Sequence, residues 1–165
     1  MILPRRFYAR PAIEVARDLL GKTLRHGNIA GRIIETEAYP GGDDLASHSS
    51  VGITDRTRVI FGPPGHAYVY LCYGIHYCFN VVAEPDGIAG CVLIRALDLD
   101  NASGPGKLTR ALGINRTHSR TDLTRGALIV SNAPVVADFQ VTRRIGITKC
   151  ADRLLRFVAK PTRST

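Results

Sequence analysis

Several residue types and patterns that mark particular protein classes are scarce or missing in this sequence. It contains no tryptophan and one methionine in 165 residues. No apolar run approaches the ~20 residues that a membrane-spanning helix requires. Arg5, Arg6 and Arg10 are followed by no apolar block, which is unlike a secretory signal. We therefore expect a cytoplasmic protein, associated with the nucleoid if its source is prokaryotic, and no membrane contact.

Metal-binding and nucleotide-binding spacings are missing as well. The cysteines form no CxxC pair, and the histidines form neither an HExxH nor an HxH pair, so the spacing predicts no metal site. Gly104-Pro-Gly-Lys107 lacks the frame of a nucleotide-binding phosphate loop. Three of the four cysteines lie inside apolar, β-like runs, which favours reduced thiols in a core: Cys72, Cys78 and Cys91, with Cys150 apart. We expect no metal and no other cofactor.

Positive charge is what the sequence has in excess. Lysine and arginine number 22 against 14 acidic residues, which gives a net charge of +8. Only four of the positive side chains are lysines. Arginine binds phosphate through a planar, bidentate fork. This surplus points to a polyanion, most often nucleic acid, while a basic enzyme whose charge serves only solubility remains open.

Length and patterning predict one mixed α/β domain covering residues 1–165. Residues 11–20 are typical of a short amphipathic helix, and 107–112 of another that ends at Gly113. The remaining patterned segments predict strands, the first two joined by a Gly27-Asn28 hairpin turn and the next three forming an antiparallel meander: 22–26, 29–39, 67–73, 77–83, 89–97, 127–136 and 141–158. The expected fold is a largely antiparallel sheet with a protruding β-hairpin and short flanking helices.

Charged residues occur where core residues are expected. A period of two places Ile33, Glu35, Glu37 and Tyr39 on one face of the second strand. Arg95 lies in another apolar strand, and isolated charges there would be costly, so we expect Glu37 and Arg95 to pair across the sheet. The pair is either structural or holds a carboxylate that activates water.

Two further polar residues stand out in the meander. Tyr73 lies at a hairpin tip beside Gly74, where packing does not explain an aromatic ring but wedging between DNA bases would use it. Packing does suffice for Tyr68 and Tyr77. Asn80 lies between Phe79 and Val81, so its amide must either be hydrogen-bonded in the core or read the edge of a ligand.

A series of motifs along most of the chain resembles the alkyladenine DNA glycosylase family, also called the 3-methyladenine or N-methylpurine DNA glycosylase family. The glutamate-rich motif followed by the tyrosine-rich hairpin is the most specific part. The motifs are Arg32-Ile-Ile-Glu-Thr-Glu-Ala-Tyr39, Ala46-Ser-His-Ser49, Arg56-Thr-Arg58, Pro64-Gly-His-Ala-Tyr-Val-Tyr-Leu-Cys-Tyr-Gly74, Asn80, Val92-Leu-Ile-Arg-Ala96 and Gly104-Pro-Gly-Lys-Leu108.

The resemblance implies a catalytic role for two residues and a base-binding role for three. Glu37 would be the general base that deprotonates the attacking water, and Arg95 would help to place that water. Tyr39 would stack on one face of a base flipped out of the duplex. His48 and Tyr70 would close the other face.

The resemblance also implies how DNA would be held. Asn80 would line the pocket floor and disfavour guanine, while Tyr73 would fill the gap that the flipped nucleotide leaves. Arg56, Arg58 and Lys107 are candidates for contacts with the DNA backbone.

The function that the resemblance implies is base excision repair. The enzyme would act as a monomer on double-stranded DNA that contains alkylated or deaminated purines, such as 3-methyladenine, hypoxanthine and etheno-adenine. It would hydrolyse the N-glycosidic bond and leave an abasic site. No lysine falls in a matching pocket motif, so no Schiff base and no strand cleavage are expected. The alternatives are a non-catalytic nucleic-acid-binding module on the same fold and an idle homologue that binds lesions without releasing bases.

Overall fold

An antiparallel sheet of eight strands organises the molecule, and the computed structural model describes residues 1–161 of it. The main path runs in the order β3-β4-β5-β2-β1-β6, while β8 pairs with β2 and with β7. The strands are β1 Thr23–His26, β2 Ile29–Pro40, β3 Ala67–Cys72, β4 His76–Val82, β5 Gly90–Asp98, β6 Leu128–Ser131, β7 Phe139–Thr142 and β8 Arg156–Ala159.

The helices are short. They are α1 Arg5–Tyr8, α2 Ala12–Asp18 and α3 Pro105–Leu112, with 3-10 turns at His48–Val51, Arg58–Phe61 and Arg116–His118. Helix α3 begins with Pro105, whose fixed φ suits the first turn, and ends at Gly113 in the left-handed region with φ 64°. Within residues 1–161, no helix has the length and apolar character to cross a membrane.

The predicted mixed α/β fold with a largely antiparallel sheet is confirmed. The β1–β2 hairpin turns at Gly27-Asn28, and β3, β4 and β5 form the antiparallel meander. Two predicted strands were too long. The strand over 127–136 ends at Ser131, where the following Asn132 and Ala133 turn to accept hydrogen bonds from Lys22. The strand over 141–158 is interrupted between Thr142 and Arg156, because this segment contributes to the cavity described below.

One face of the sheet packs against helices α2 and α3. Apolar residues from the two helices meet alternate residues of the strands, and this layer is the main core. It includes Val15, Ala16 and Leu19, Leu108 and Leu112, and Val69, Phe79, Val81, Val92 and Ile94.

The opposite face of β3, β4, β5 and β2 is covered by the loop between β2 and β3. Ile60, in the second 3-10 turn of this loop, is fully buried against Tyr68, Val82 and Cys91. This small second cluster holds the loop over the sheet, so that the loop forms the wall of a cavity rather than extending into solvent.

Candidate active site

A shift in strand register brings the charged residues of β2 to the cavity face. Ile33 pairs with Leu97 and Thr36 with Ile94, but between them the pairing skips Ile34 on β2 and Arg95 on β5. Each skip moves the alternation by one residue. The sequence prediction that Ile33 shares a face with Glu37 is therefore wrong: Ile33 lies in the main core.

The cavity on this face has a volume of about 600 Å³, which falls in the usual range of about 300–1,000 Å³ for small-ligand sites. It brings together residues that lie up to 108 positions apart in the sequence, from Tyr39 to Ile147. Among the residues predicted for the site, those that line it are Tyr39, His48, Arg56, Tyr70, Tyr73, Asn80 and Arg95. Glu37 lies just beneath this lining, and Arg58 and Lys107 are not part of it.

The Glu37 carboxylate is completely buried and surrounded by donors. Its Oε1 accepts from the Tyr39 hydroxyl at 2.9 Å and from Nη1 of Arg95 at 3.4 Å. Its Oε2 accepts from the backbone N–H of Ile145 at 2.7 Å. A carboxylate offers about four acceptor sites, so three of them are used and one on Oε2 remains. Tyr39, Arg95 and Ile145 all line the cavity, so the Glu37 carboxylate lies directly behind this part of the cavity wall.

A second carboxylate holds Arg95 in place. Glu35 Oε1 accepts from Nε of Arg95 at 3.1 Å and from Nε of Arg156 on β8 at 2.6 Å. The Arg95 side chain is only 15% exposed. The expected pairing of Arg95 with Glu37 is therefore present, but the contact of Arg95 with Glu35, which was not predicted, is shorter. Arg156 is a residue that sequence reasoning missed.

The segment after β7 completes the surroundings of Glu37. Arg144 forms a two-pronged ion pair with Asp44, with distances of 2.6 and 2.9 Å, and both side chains are fully buried. The Arg144 guanidinium also donates to the Ala38 carbonyl and lies 4.7 Å from the centroid of the Tyr39 ring. Arg144 thereby fixes both Tyr39 and the neighbouring Ile145 N–H. No local pattern identified this pair, because its partners are 100 residues apart.

Aromatic rings from the loop and from β3 form another part of the cavity wall. The ring centroids of His48 and Tyr70 are 4.5 Å apart, and Arg56 lies 5.1 Å from the Tyr70 centroid. Tyr68, which had been explained by packing, also has a polar role: its hydroxyl oxygen accepts from Nε of Arg56 at 3.1 Å and lies 2.8 Å from Nδ1 of His48. The alternation of β3 puts Tyr68 on the same face as Tyr70, and that signal would have found it.

His48 is neutral at physiological pH. Burial and then the charge of Arg56 lower the pKa of His48 from 6.5 to about 4. Because the Tyr68 oxygen already accepts from Arg56, its hydroxyl hydrogen is available to Nδ1 of His48. We assign the ring proton to Nε2 on this basis, so that His48 can donate a hydrogen bond.

Tyr39 and Tyr70 are hydrogen-bond donors too. Burial, and then the charge of Glu37, raise the pKa of Tyr39. Burial also raises the pKa of Tyr70. Both hydroxyls therefore keep their hydrogens at neutral pH.

Asn80 lines the cavity and is 2% exposed. Its Nδ2 donates to the Tyr68 carbonyl at 3.3 Å, and its Oδ1 accepts from the Cys91 thiol at 3.8 Å. The protein uses one of the two amide hydrogens of Asn80 and offers its oxygen only a weak thiol donor. The second amide hydrogen and the oxygen therefore remain available to the edge of a ligand.

Tyr73 lies at the tip of the β3–β4 hairpin, as predicted. It adopts a left-handed backbone conformation with φ 52° and is 80% exposed. Leu71 and Ile75 beside it are also exposed. An apolar tip of this kind at the rim of a cavity is suited to entering another apolar environment, such as a base stack.

The three candidate contacts to the DNA backbone lie in different environments. Arg56 is committed to Tyr68 and Tyr70 in the cavity wall. Arg58 points outward, with a side chain 66% exposed and a loose pair to Asp55 at 3.9 Å. Lys107 is exposed in the first turn of α3.

Comparison with known proteins places these features in context. Residues 6–163 match the family described as methylpurine-DNA glycosylase. A protein from Wolbachia sp. subsp. Brugia malayi is 48% identical, covering 94% of this chain and 96% of its own length. A protein from Legionella pneumophila strain Corby is 46% identical, covering 96% and 94% respectively. A protein from Methanocella arvoryzae is 46% identical, covering 94% and 89%. All three carry the name "Putative 3-methyladenine DNA glycosylase".

Proposed function

The chain belongs to the methylpurine-DNA glycosylase family and is a DNA-repair enzyme that hydrolyses N-glycosyl bonds in DNA; we propose that it removes alkylated or deaminated purines with a water molecule activated by Glu37. The observation that carries the proposal is a buried carboxylate with one acceptor site left, directly beneath an aromatic cavity that has the volume for a purine. The substrates would be the 3-methyladenine, hypoxanthine and etheno-adenine class.

The cavity walls support base flipping. A purine between Tyr39 on one side and His48 and Tyr70 on the other would gain stacking on aromatic faces, which is worth about 1–3 kcal/mol for one base. Extruding a nucleotide costs a few kcal/mol, least for a damaged or mismatched base. The free energy gained by stacking is therefore comparable to the free-energy cost of extrusion, so lesions that pair poorly would be favoured. The amide of Asn80 would disfavour guanine through its exocyclic amino group.

The chemical step follows from the contacts of Glu37. Water attacks the anomeric carbon of the sugar, its proton passes to Glu37, and the bonding electron pair leaves with the purine. The transition state has oxocarbenium character, which the nearby carboxylate would also stabilise. A cationic alkylpurine leaves without protonation, whereas a neutral purine must be stabilised as it departs. His48, which carries its proton on Nε2, could supply a hydrogen bond to such a base.

No covalent sugar–enzyme intermediate is proposed. Among residues 1–161, no lysine lines the cavity, and Lys22 is bonded to Asn132 and Ala133 elsewhere. The product would be an intact strand with an abasic site. We propose that the enzyme works as a monomer in the cytoplasm, at the nucleoid in a prokaryote.

The test compares Glu37→Gln with Glu35→Gln on a duplex that contains hypoxanthine or etheno-adenine. Glu37→Gln should lower single-turnover base release by at least about 100-fold, since general-base catalysis contributes roughly 10²–10⁴. Its affinity for the lesion duplex should stay within a few-fold. Glu35→Gln should lose far less, because Glu35 acts only by positioning Arg95.

Controls must separate catalysis from folding. Glutamine at position 37 would place an amide donor opposite another donor, which costs about 1–3 kcal/mol of stability, so circular dichroism must show that the variant is folded. Base release at nearly the parent rate by folded Glu37→Gln would exclude Glu37 as the base. Equal losses in both variants would indicate that Glu35 had been wrongly given a secondary role.

A further inference from the structure

Three potential metal ligands meet at the base of the hairpin that carries Tyr73. Cys72 on β3 lies directly opposite His76 on β4, and Cys78 follows two residues later on β4, on the same face of the sheet. One ligand atom from each residue lies within 4.8 Å of the others. Cys78 is buried, while Cys72 and His76 are half-buried, so the group is open to solvent on one side.

Two thiols and an imidazole are the donor set that zinc prefers. With Zn–S distances of about 2.3 Å, two sulfur ligands of a tetrahedral ion lie roughly 3.8 Å apart. The ligand atoms would need to approach one another by no more than about 1 Å, which rotation of the half-buried side chains of Cys72 and His76 can supply. A disulfide between Cys72 and Cys78 would leave His76 without a role.

No sequence motif indicated this site, because its spacing, Cys-x₃-His-x-Cys, contains no CxxC pair. The tight turn after Cys72 is what brings the three positions together. A hairpin converts a spacing of four residues into a directly opposed pair.

We propose that Cys72, His76 and Cys78 form a zinc-binding site, and that a bound zinc ion lowers base release by the enzyme. Binding would release the two thiol protons to solvent. The claim that zinc lowers base release rests on the proposed function, because all three residues line the cavity that we assign to the flipped base.

The expected mechanism of inhibition is steric and conformational. The three protein ligands leave the fourth zinc position open for water, toward the cavity they share with Tyr70 and Arg95. The ion would also cross-link β3 to β4 directly below Tyr73 and restrict the hairpin tip. Two thiolates balance the zinc charge, so the salt dependence of DNA binding should stay the same with and without zinc.

Metal binding is tested on its own, before activity. Protein stripped with a chelator under reducing conditions is titrated with zinc in competition with a chromophoric chelator. Cobalt is then substituted to detect thiolate-to-metal charge-transfer absorption. The variants are Cys72→Ser, His76→Asn and Cys78→Ser, and Cys150→Ser is the matched control because Cys150 lies on a separate loop.

The parent and Cys150→Ser should bind one zinc ion per chain with the thiolate signature. Each ligand variant should bind at least about 100-fold more weakly, since even outer-shell partners are worth roughly 10–100-fold in metal affinity. Absence of binding by the parent, or equal binding by the ligand variants, would overturn the site.

The activity experiment compares, for each protein, the rates of base release from a lesion duplex with and without zinc. Zinc should inhibit the parent and Cys150→Ser, reversibly on adding chelator, and should not inhibit Cys72→Ser. Inhibition of Cys72→Ser to the same degree would overturn the regulatory role, as would an unchanged rate in a zinc-loaded parent. If the metal-free parent released no base, the proposed function would fail, while the titration would still decide the metal site.

Discussion

Removing Asp44 should destabilise the protein strongly and disturb the candidate active site. Asp44→Ala would leave the Arg144 guanidinium without its partner in a site where both side chains are fully buried. Breaking a buried ion pair by removing one partner costs about 3–5 kcal/mol. For a chain of this size, each kcal/mol shifts Tm by roughly 2–4 °C, so Tm should fall by about 6–20 °C. The backbone N–H of Ala46 would also lose its bond to Asp44.

The neighbouring aspartate provides the matched control. Asp43 has a side chain 94% exposed and a loose contact with Arg153 at 3.6 Å, and exposed pairs contribute little. Asp43→Ala should therefore leave Tm almost unchanged. Thermal unfolding by circular dichroism at neutral pH measures both variants.

A double variant separates stability from function. Asp44→Leu with Arg144→Met should recover much of the lost Tm, because apolar residues of similar volume often replace a buried pair without loss. It should not recover base release, because Tyr39 loses the stacked guanidinium and Ile145 loses its anchor beside Glu37. If Asp44→Ala melted like Asp43→Ala, the buried pair would contribute nothing to stability and this account of the cavity would be refuted.

Three further predictions concern DNA and pH. Tyr73→Ala should weaken binding to lesion duplex and flipping of the lesion base much more than it lowers any activity on single-stranded DNA, whereas Tyr70→Ala should reduce activity on both substrates. Flipping is followed with a 2-aminopurine reporter beside the lesion, and equal flipping by Tyr73→Ala and the parent would show that Tyr73 is a surface residue without a role in DNA binding. The logarithm of DNA affinity should fall linearly with the logarithm of salt concentration, with a slope near −0.9 per phosphate contact. Arg58→Ala should make this slope shallower by about one contact, and Arg56→Ala should leave it unchanged. A flat salt response in the parent would contradict phosphate binding. The pKa of His48 is lowered to about 4, so between about pH 6.5 and 4 the unfolded chain binds a proton that the folded protein does not, and stability falls as pH decreases through that window. The Tm of His48→Asn should therefore fall less steeply than the Tm of the parent between pH 7 and about pH 4.5. Parallel curves of Tm against pH would argue against a neutral, buried imidazole.

Short-range patterns in the sequence were enough to predict the meander and its tip. The turns at Gly27-Asn28 and Tyr73-Gly74 depend on local backbone preferences, and alternation assigns most side chains of a strand to a face. Seven of the residues that line the cavity were identified by the motifs that carry the family resemblance. Their catalytic and binding roles stay predictions until the variants are measured.

Tertiary structure decided what depends on register and on contacts between distant segments. The skipped residues Ile34 and Arg95 changed which face Ile33 occupies, and no periodicity shows where a strand will bulge. The Asp44–Arg144 ion pair and the hydrogen bond from the Ile145 N–H to Glu37 have no local signature. Periodicity and turn chemistry act over a few residues, whereas these contacts exist only once strands and loops from both ends of the chain have packed into one sheet.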